Sequence, residues 1–448
     1  MSVRVEDVRR SPVLLLVGLG GLLGALVIRL PSVVAVVVPT MAAGLVLTEL
    51  VHILGRADEP EERERLLRWT LVAFAAHLAF GLIVTNSGGL SAYFGGDAST
   101  YHDLAVRLLQ HWTQGTAMPT IPPGKEGFYY LLAGIYWIFG AYSSAGLVVN
   151  AAMASALVPI VADTTRRAFG RSAAWYVAPL VVLLPGLFLW TSQLLKEAGV
   201  LLFIAVAANC AGRILERVSP GRLVALAAAI CLLFTFRGWV ALMVLTGLML
   251  GVTLGRQEFS AGLGSGLAIA ALVALSVLGF GVGSKGYQTA VNSNLAQANV
   301  VRQDLASSAS SGYAVDSDIS SPTRALSFLP IGLVALLLGP APWQVGGLRQ
   351  LSGLADVAVW WLLLPSLWRG VRAAKQLMGR GRLVFLLPAA STSLLLALAI
   401  GNFGTVVRER MQIVVLVVPL IALGLAGRAE QRATRGADEA ADSGVGAT

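Results

Sequence analysis

The sequence predicts an all-α polytopic membrane protein with about 12 transmembrane helices and with interfacial or re-entrant helices in two outer loops. Of its 448 residues, 56% are hydrophobic and only 13% are charged, whereas soluble domains carry about 25% charged residues. The apolar residues form long runs, and arginines cluster at the ends of those runs, where they set membrane orientation. Because membrane topology accounts for the formal charge of +9, we expect no nucleic-acid partner.

Each predicted span is a run close to the membrane-crossing length of about 20 mainly apolar residues. In chain order the predicted spans are 12–28, 32–54, 70–86, 143–163, 174–190, 197–213, 222–236, 238–254, 262–283, 352–368, 383–400 and 411–427. No small-x-small cleavage site follows the first run, which is therefore predicted to be a retained helix rather than a signal peptide.

The distribution of basic residues predicts the orientation of these spans. With the N-terminus in the cytoplasm, the cytoplasmic segments contain 22 of the 33 Lys and Arg residues, as the positive-inside rule requires. This orientation places both termini in the cytoplasm and residues 87–142 and 284–351 outside. We therefore expect a multi-pass protein of the cell membrane.

Two apolar stretches in the outer regions are predicted not to span the membrane. Residues 127–140 form a short run that contains six aromatic side chains, as expected of an interfacial helix. Residues 325–344 contain Pro330, Pro340 and Pro342, so a re-entrant or interfacial segment is predicted there. The polar outer loop 284–324 is predicted to be flexible and solvated, or alternatively to close over a sugar-sized substrate.

The same pattern divides the chain into three parts. Residues 1–69 form an N-terminal two-helix membrane extension with a cytoplasmic loop, and residues 70–427 form the transmembrane catalytic core. Residues 428–448 are small and polar and are predicted to be a disordered cytoplasmic tail.

The first outer region contains the polar segment GGDASTYHDLAVRLLQHW, residues 95–112. Apolar residues at spacings of three and four predict a helix with one apolar face, formed by Tyr101, Leu104, Ala105, Leu108 and Trp112. Asp97 can cap that helix. Alternatively, as a carboxylate at the outer boundary of the bilayer, it can accept a proton from an attacking hydroxyl or hold a divalent cation beside a phosphate.

His102 is predicted to point away from the apolar face. It is either a solvated side chain or, together with Asp97, a ligand of a divalent cation. Magnesium or manganese is the cofactor that such a pair would take, and we expect no other cofactor.

Basic side chains at other outer turns are candidate phosphate ligands. Lys196 and Glu197 lie between two spans, where a snorkelling lysine and an acid favoured by the helix dipole are the alternative interpretation. In the functional interpretation, the Lys196 ammonium binds a phosphate as a point charge. Glu197 is then either a second acid or the group that orients Lys196.

Three arginines extend this set of candidates. Arg237 separates two short apolar runs, where an arginine is costly unless it reaches the interface or a partner. Arg408 and Arg410 lie at the predicted outer end of the last span, where the positive-inside rule disfavours basic residues. Two guanidinium groups at that position can bind a phosphate or pyrophosphate.

Four segments in order between residues 70 and 213 resemble parts of one enzyme family. They are GGDASTYHDLA, GKEGFYYLLAGIYWIFG, TTRRAFGRSAAWYVAPLVVLLPG and SQLLKEAG. They are similar to the first outer loop, the aromatic juxtamembrane helix, the arginine–phenylalanine–glycine turn and the outer acid or lysine turn of the GT-C fold glycosyltransferases. These polytopic enzymes, which include mannosyltransferase- and arabinosyltransferase-like members, take sugars from polyprenyl-phosphate or polyprenyl-pyrophosphate donors.

The resemblance implies roles for individual residues. Asp97 matches the acid that serves as general base or metal ligand, and Tyr101 follows it in the same motif as a substrate-site residue. Lys196, Arg237 and Arg408 are the implied ligands of the donor phosphate. Position 98 is alanine, where many family members have a second acid.

The function implied is inverting transfer of a sugar from a polyprenyl-phosphate donor to a cell-envelope glycan, lipid or protein hydroxyl, on the outer face of the membrane. The expected partners are the lipid bilayer, the lipid-linked sugar and the acceptor.

Two alternatives remain from the sequence. LPIGLVALLLGPAPW and NFGTVVRERMQ resemble bacterial envelope-polysaccharide proteins, including Wzy-type polymerases. A polymerase or ligase of that type would rely on Arg237, Arg408, Arg410 and the 284–324 loop. A non-enzymatic transporter of lipid-linked glycans predicts charged residues near the bilayer midplane, and the middle of the predicted spans contains essentially none. The absence of a visible internal repeat also disfavours a transporter.

Overall fold

The computed structural model describes residues 31–444, apart from 57–58, 91–95, 257, 275–276, 278–280, 282, 293, 308, 310 and 345–347. The described residues are almost entirely helical and form no β-strand, although Gly312 and Asn402 make an isolated antiparallel bridge. The predicted first span, residues 12–28, lies outside the described residues.

The helices of the first half of the chain are α1 (Pro31–Leu54), α2 (Pro60–Asn86), α3 (Gly96–Gln114), α4 (Glu126–Phe139), α5 (Ser143–Phe169), α6 (Arg171–Ala174), α7 (Val177–Leu183), α8 (Pro185–Thr191) and α9 (Glu197–Glu216). Those of the second half are α10 (Pro220–Phe236), α11 (Gly238–Gly255), α12 (Phe259–Ala274), α13 (Ser284–Asn292), α14 (Leu295–Ser307), α15 (Pro322–Leu338), α16 (Leu348–Met378), α17 (Leu383–Ala399) and α18 (Phe403–Gly444). Short 3-10 helices cover Pro342–Gln344 and Gly379–Arg382.

The long apolar helices confirm an all-α membrane protein, whereas the predicted number of 12 spans is not confirmed. Among the described residues, seven helices are long and apolar enough to cross a membrane, or eight if Arg171–Leu183 and Pro185–Thr191, which meet at 54°, form one broken span. The predicted spans 352–368 and 383–400 fall in one such stretch, Gly353–Ala399. The apolar helices Pro220–Phe236 and Pro322–Leu338 have 17 residues each, at the lower limit of about 17 for a span.

The described chain forms two compact units. The first contains the described residues of Met1–Pro159 together with Phe188–Leu202 and Thr235–Arg237. It holds α1 to α4, the start of α5 and the turn that leads into α9. Helix α2 continues across the predicted boundary between residues 69 and 70.

The second unit contains Ile160–Leu187, Phe203–Phe234 and Gly238–Thr448, of which residues after 444 are not described. Helices α16 and α18 approach each other closely at Gly370 and Gly424. A Cβ at Gly370 would clash with the Leu420 carbonyl, and a Cβ at Gly424 would clash with the Ser366 carbonyl. Small residues at such a crossing allow membrane helices to pack backbone to backbone.

Part of loop 284–324, which the sequence predicts to lie outside, is ordered rather than flexible, because a buried arginine fixes it. Arg302 on α14 is fully buried. Its guanidinium donates hydrogen bonds to the carbonyls of Ser317 (2.9 Å) and Ala314 (2.5 Å) and lies 4.3 Å from the centre of the Phe328 ring. These contacts hold residues 312–319 against α15.

Two other local expectations differ from the structure. Pro330 lies inside α15 without ending it, since proline is tolerated in apolar helices whose neighbours satisfy the freed carbonyl. Helix α18 continues to Gly444, through the tail predicted to be disordered. Eleven of the 17 residues 428–444 are Ala, Arg, Glu or Gln, which have high helix propensity.

Candidate functional site

The turn between α8 and α9 is the most unusual segment of the first unit, because it is polar and entirely buried. Every residue from Thr191 to Glu197 is at most 3% exposed. Asn150 on α5 donates hydrogen bonds from its side-chain amide to the carbonyls of Gln193 (2.6 Å) and Leu195 (2.7 Å). A buried turn needs such partners for its backbone groups, so one amide fixes its conformation.

Three of the predicted substrate-binding residues meet at the end of this turn. The Lys196 ammonium lies 3.5 Å from the Glu197 carboxylate, and the Arg237 guanidinium lies 3.8 Å from the same carboxylate oxygen. The side chains of Lys196 and Glu197 are 3% and 4% exposed, and that of Arg237 is 17% exposed. The cluster therefore brings two cations and one anion into a site from which most water is excluded.

Helix α2 packs directly on the buried turn. A Cβ at Gly81 would clash with the Ser192 carbonyl, so only glycine permits this approach. One turn earlier, the His77 ring packs on Phe188, with ring centres 5.0 Å apart. The turn is thus enclosed by α2 as well as by α5.

A chain of aromatic rings joins α3, the helix that carries Asp97, to the residue beside Arg237. The rings of Tyr101 and Phe128 are 5.1 Å apart, and those of Phe128 and Phe236 are 5.9 Å apart. Tyr101 is buried in this chain, as the predicted apolar face of α3 requires. Its ring therefore packs in the core of the first unit.

Asp97 lies in the first turn of α3, which begins at Gly96, and it is exposed. Burial, and secondly the charge of Asp97, raises the pKa of Tyr129. The Tyr129 ring is tilted against the Tyr101 ring, with ring centres 5.2 Å apart. The carboxylate thus lies within electrostatic reach of the aromatic chain, in the same unit as the Lys196, Glu197 and Arg237 cluster.

His102 lies next to a tyrosine. Its Nδ1 is 2.8 Å from the Tyr136 hydroxyl. Burial lowers the pKa of His102, an effect partly offset by Asp103, and burial raises the pKa of Tyr136. The described residues include no group of three or more His, Cys, Asp or Glu side chains placed to hold a metal ion. A magnesium or manganese site at Asp97 and His102 therefore stays a prediction.

Arg408 and Arg410 belong to the second unit, and Arg410 is engaged within it. Arg410 is fully buried, donates to the Asp356 carboxylate at 2.7 Å and donates to the Gly339 carbonyl at 2.8 Å. The other Asp356 oxygen accepts a hydrogen bond from the Gly186 backbone N–H at 2.9 Å. Arg410 is therefore a buried structural partner rather than an open clamp, while Arg408 on the same helix is half-buried.

Sequence patterns missed Asn150 and Asp356. Each is a polar residue inside a predicted span. That position could have identified both as candidates for a specific contact, because a polar group in a membrane helix usually has a specific partner. Their partners are 43 and 54 residues away along the chain, so spacing alone did not reveal them.

The chain has no match among protein-family models, and no curated protein matches it. Its function therefore has to be inferred from the positions and chemistry of its own residues.

Proposed function

We propose that this chain is an integral membrane glycosyltransferase that moves a sugar from a polyprenyl-phosphate donor to a cell-envelope acceptor. The observation that supports the proposal is the buried cluster of Lys196, Glu197 and Arg237 in the same compact unit as Asp97. The cluster supplies cationic donors for a phosphate, and Asp97 supplies a base.

The charge of the cluster suits this chemistry. Two cations and one carboxylate leave one net positive charge, which matches the single negative charge of a sugar–phosphate–lipid diester. When the sugar departs, the leaving phosphate gains a second negative charge. Preorganised cations in a site of low water content stabilise that developing charge more than they stabilise the bound donor.

The reaction balances with the groups at hand. The acceptor hydroxyl oxygen attacks the anomeric carbon, the bond from that carbon to the phosphate oxygen breaks, and the electron pair stays on the phosphate. The acceptor proton passes to Asp97, which is exposed and can meet a polar acceptor. A single displacement inverts the anomeric configuration. Glu197 orients Lys196 and Arg237.

The polymerase alternative has less support, because one of its arginines is engaged elsewhere. Arg410 is bonded to Asp356 and to the Gly339 carbonyl. The donor-phosphate role of Arg408 stays a prediction.

Reconstituted protein tests the role of the cluster. In liposomes containing polyprenyl-phosphate sugars labelled in the sugar, we expect polyprenyl phosphate and glycosylated acceptor to form in equal amounts, with inversion at the anomeric carbon. We expect Arg237→Gln to lower kcat by at least about tenfold, because a charge-assisted hydrogen bond made in the transition state is lost. Arg217→Gln, at an exposed position on the second unit, is the control. No release of polyprenyl phosphate, or a change in KM alone for Arg237→Gln, would contradict the proposal.

A further inference from the structure

A second polar site lies in the second unit, in a cavity of about 510 Å³. The ends of α5, α9 and α11 and the 3-10 helix Gly379–Arg382 contribute to its lining. The volume lies in the range of about 300–1,000 Å³ typical of small-molecule sites. All residues of the lining belong to the second unit, so the cavity shares none with the Lys196, Glu197 and Arg237 cluster.

Three arginines line this cavity, and a buried aspartate holds two of them. Asp163 accepts hydrogen bonds from Arg167 at 3.0 Å and from Arg213 at 2.7 Å. It also accepts one from the Asn209 amide at 2.8 Å, and its side chain is only 2% exposed. The two guanidinium groups are thereby fixed in place before any ligand binds.

The lining retains donors that the described residues do not use. Nε of Arg213 has no hydrogen-bond partner but is shielded from the cavity, so a ligand would reach the terminal nitrogens of this guanidinium group. Arg256 donates to the Ile214 carbonyl at 2.9 Å and forms no ion pair with a described carboxylate. The two glutamates of the lining, Glu216 and Glu258, are exposed, and Glu216 lies 3.7 Å from the Arg167 guanidinium. This leaves Arg213 and Arg256 as the arginines available to a ligand. The buried side of the cavity therefore presents cationic donors.

We propose that this cavity binds the phosphate group of a ligand. A guanidinium group presents paired N–H donors that match phosphate oxygens, and a phosphate would accept from both Arg213 and Arg256. The Asn209 amide and the Thr164 hydroxyl also line the cavity and add polar contacts. The phosphate belongs either to a soluble phosphorylated molecule or to a lipid headgroup, and the two sources are distinguished by the choice of probe.

Two substitutions test the cavity without touching Asp163 or its partners. Gly212 lines the cavity, and a Cβ there meets nothing within 4 Å, so Gly212→Leu fills the space without a backbone clash. Arg256→Gln removes a cation but keeps a hydrogen-bond donor. Arg217→Gln is the control, because Arg217 is exposed and does not line the cavity.

The experiment measures binding of inorganic pyrophosphate to the full-length protein in detergent, and binding of phosphatidic acid in nanodiscs of otherwise neutral lipid. We expect Arg256→Gln to weaken binding of the recognised probe by at least about tenfold, Gly212→Leu to abolish it, and Arg217→Gln to leave it unchanged. Binding of pyrophosphate supports a soluble ligand, and binding of phosphatidic acid alone supports a headgroup.

The proposal is overturned if neither probe binds, or if Arg256→Gln binds as the wild type does. The unfolding midpoint of each variant is measured alongside. If Gly212→Leu fails to fold, the comparison of probe binding by Arg256→Gln with that by Arg217→Gln is sufficient to test the proposal.

Discussion

Glu197 is the residue on which the first unit's charged cluster depends. Its carboxylate lies within 4 Å of both Lys196 and Arg237, and the residue is buried. Removing one member of a buried ion pair leaves the remaining charges uncompensated, which costs more than the pair itself contributes. The two cations are thus held close together by a single acid.

Replacing this acid should therefore destabilise the protein. We expect Glu197→Gln to lower the free energy of unfolding by about 3–5 kcal/mol, measured by denaturant unfolding in detergent. The control is Glu64→Gln, which removes an exposed ion pair with Arg68 and should cost no more than about 1 kcal/mol. Equal effects of the two substitutions would show that the cluster is solvated rather than buried.

The sequence was sufficient to predict that Lys196 and Glu197 form a charged pair at a turn, but not that this pair is buried. Lys196 and Glu197 were recognisable as charged residues at a turn between apolar runs. Their burial depends on Asn150, on Arg237 and on α2, all distant along the chain. A snorkelling lysine was an equally reasonable expectation, because local pattern contains no information about those contacts.

At the scale of elements, the approach of α2 to the buried turn is what encloses the cluster. Apolar run length was sufficient to predict that α2 and α5 are helices, since helices satisfy their own backbone groups in an apolar medium. It was not sufficient to show that Gly81 is a contact point, because Gly81 resembles any other glycine in an apolar run.

Adding one methyl group at this contact tests it. We expect Gly81→Ala to lower the free energy of unfolding by about 1–3 kcal/mol, the usual cost of overpacking, and to reduce sugar transfer. Gly44→Ala on α1 is the matched control, because a Cβ there meets nothing within 4 Å and alanine favours helix. Thermal unfolding of the two variants provides the measurement. The packing is misassigned if Gly81→Ala is as stable as Gly44→Ala.

At the scale of the whole molecule, the orientation in the membrane determines which side of the membrane the proposed base Asp97 faces. The distribution of Lys and Arg predicts that residues 87–142 lie outside, where lipid-linked donors replace cytoplasmic nucleotide sugars. Composition was sufficient to predict the membrane class. The number of spans was harder to predict, because several apolar runs are close to the minimum length for a span. In the structure, one of these runs bends and others form helices of 17 residues or fewer.

Cysteine labelling measures this orientation with little background, since the native Cys210 and Cys231 are both buried. We expect a membrane-impermeant maleimide to label Gln114→Cys in intact cells, and to label Lys375→Cys only after the membrane is permeabilised. Both positions are exposed. The reverse pattern would place Asp97 in the cytoplasm and would contradict the use of an outer lipid-linked donor.

The most direct test of the central claim is the rate of sugar transfer by Asp97→Asn compared with Asp103→Asn. Both carboxylates are exposed and lie on α3, so neither substitution should prevent folding. We predict that Asp97→Asn lowers kcat by at least about 100-fold, as expected when a general base is lost, while Asp103→Asn retains the wild-type rate. Full transfer activity in folded Asp97→Asn would contradict the claim that this carboxylate takes the acceptor proton.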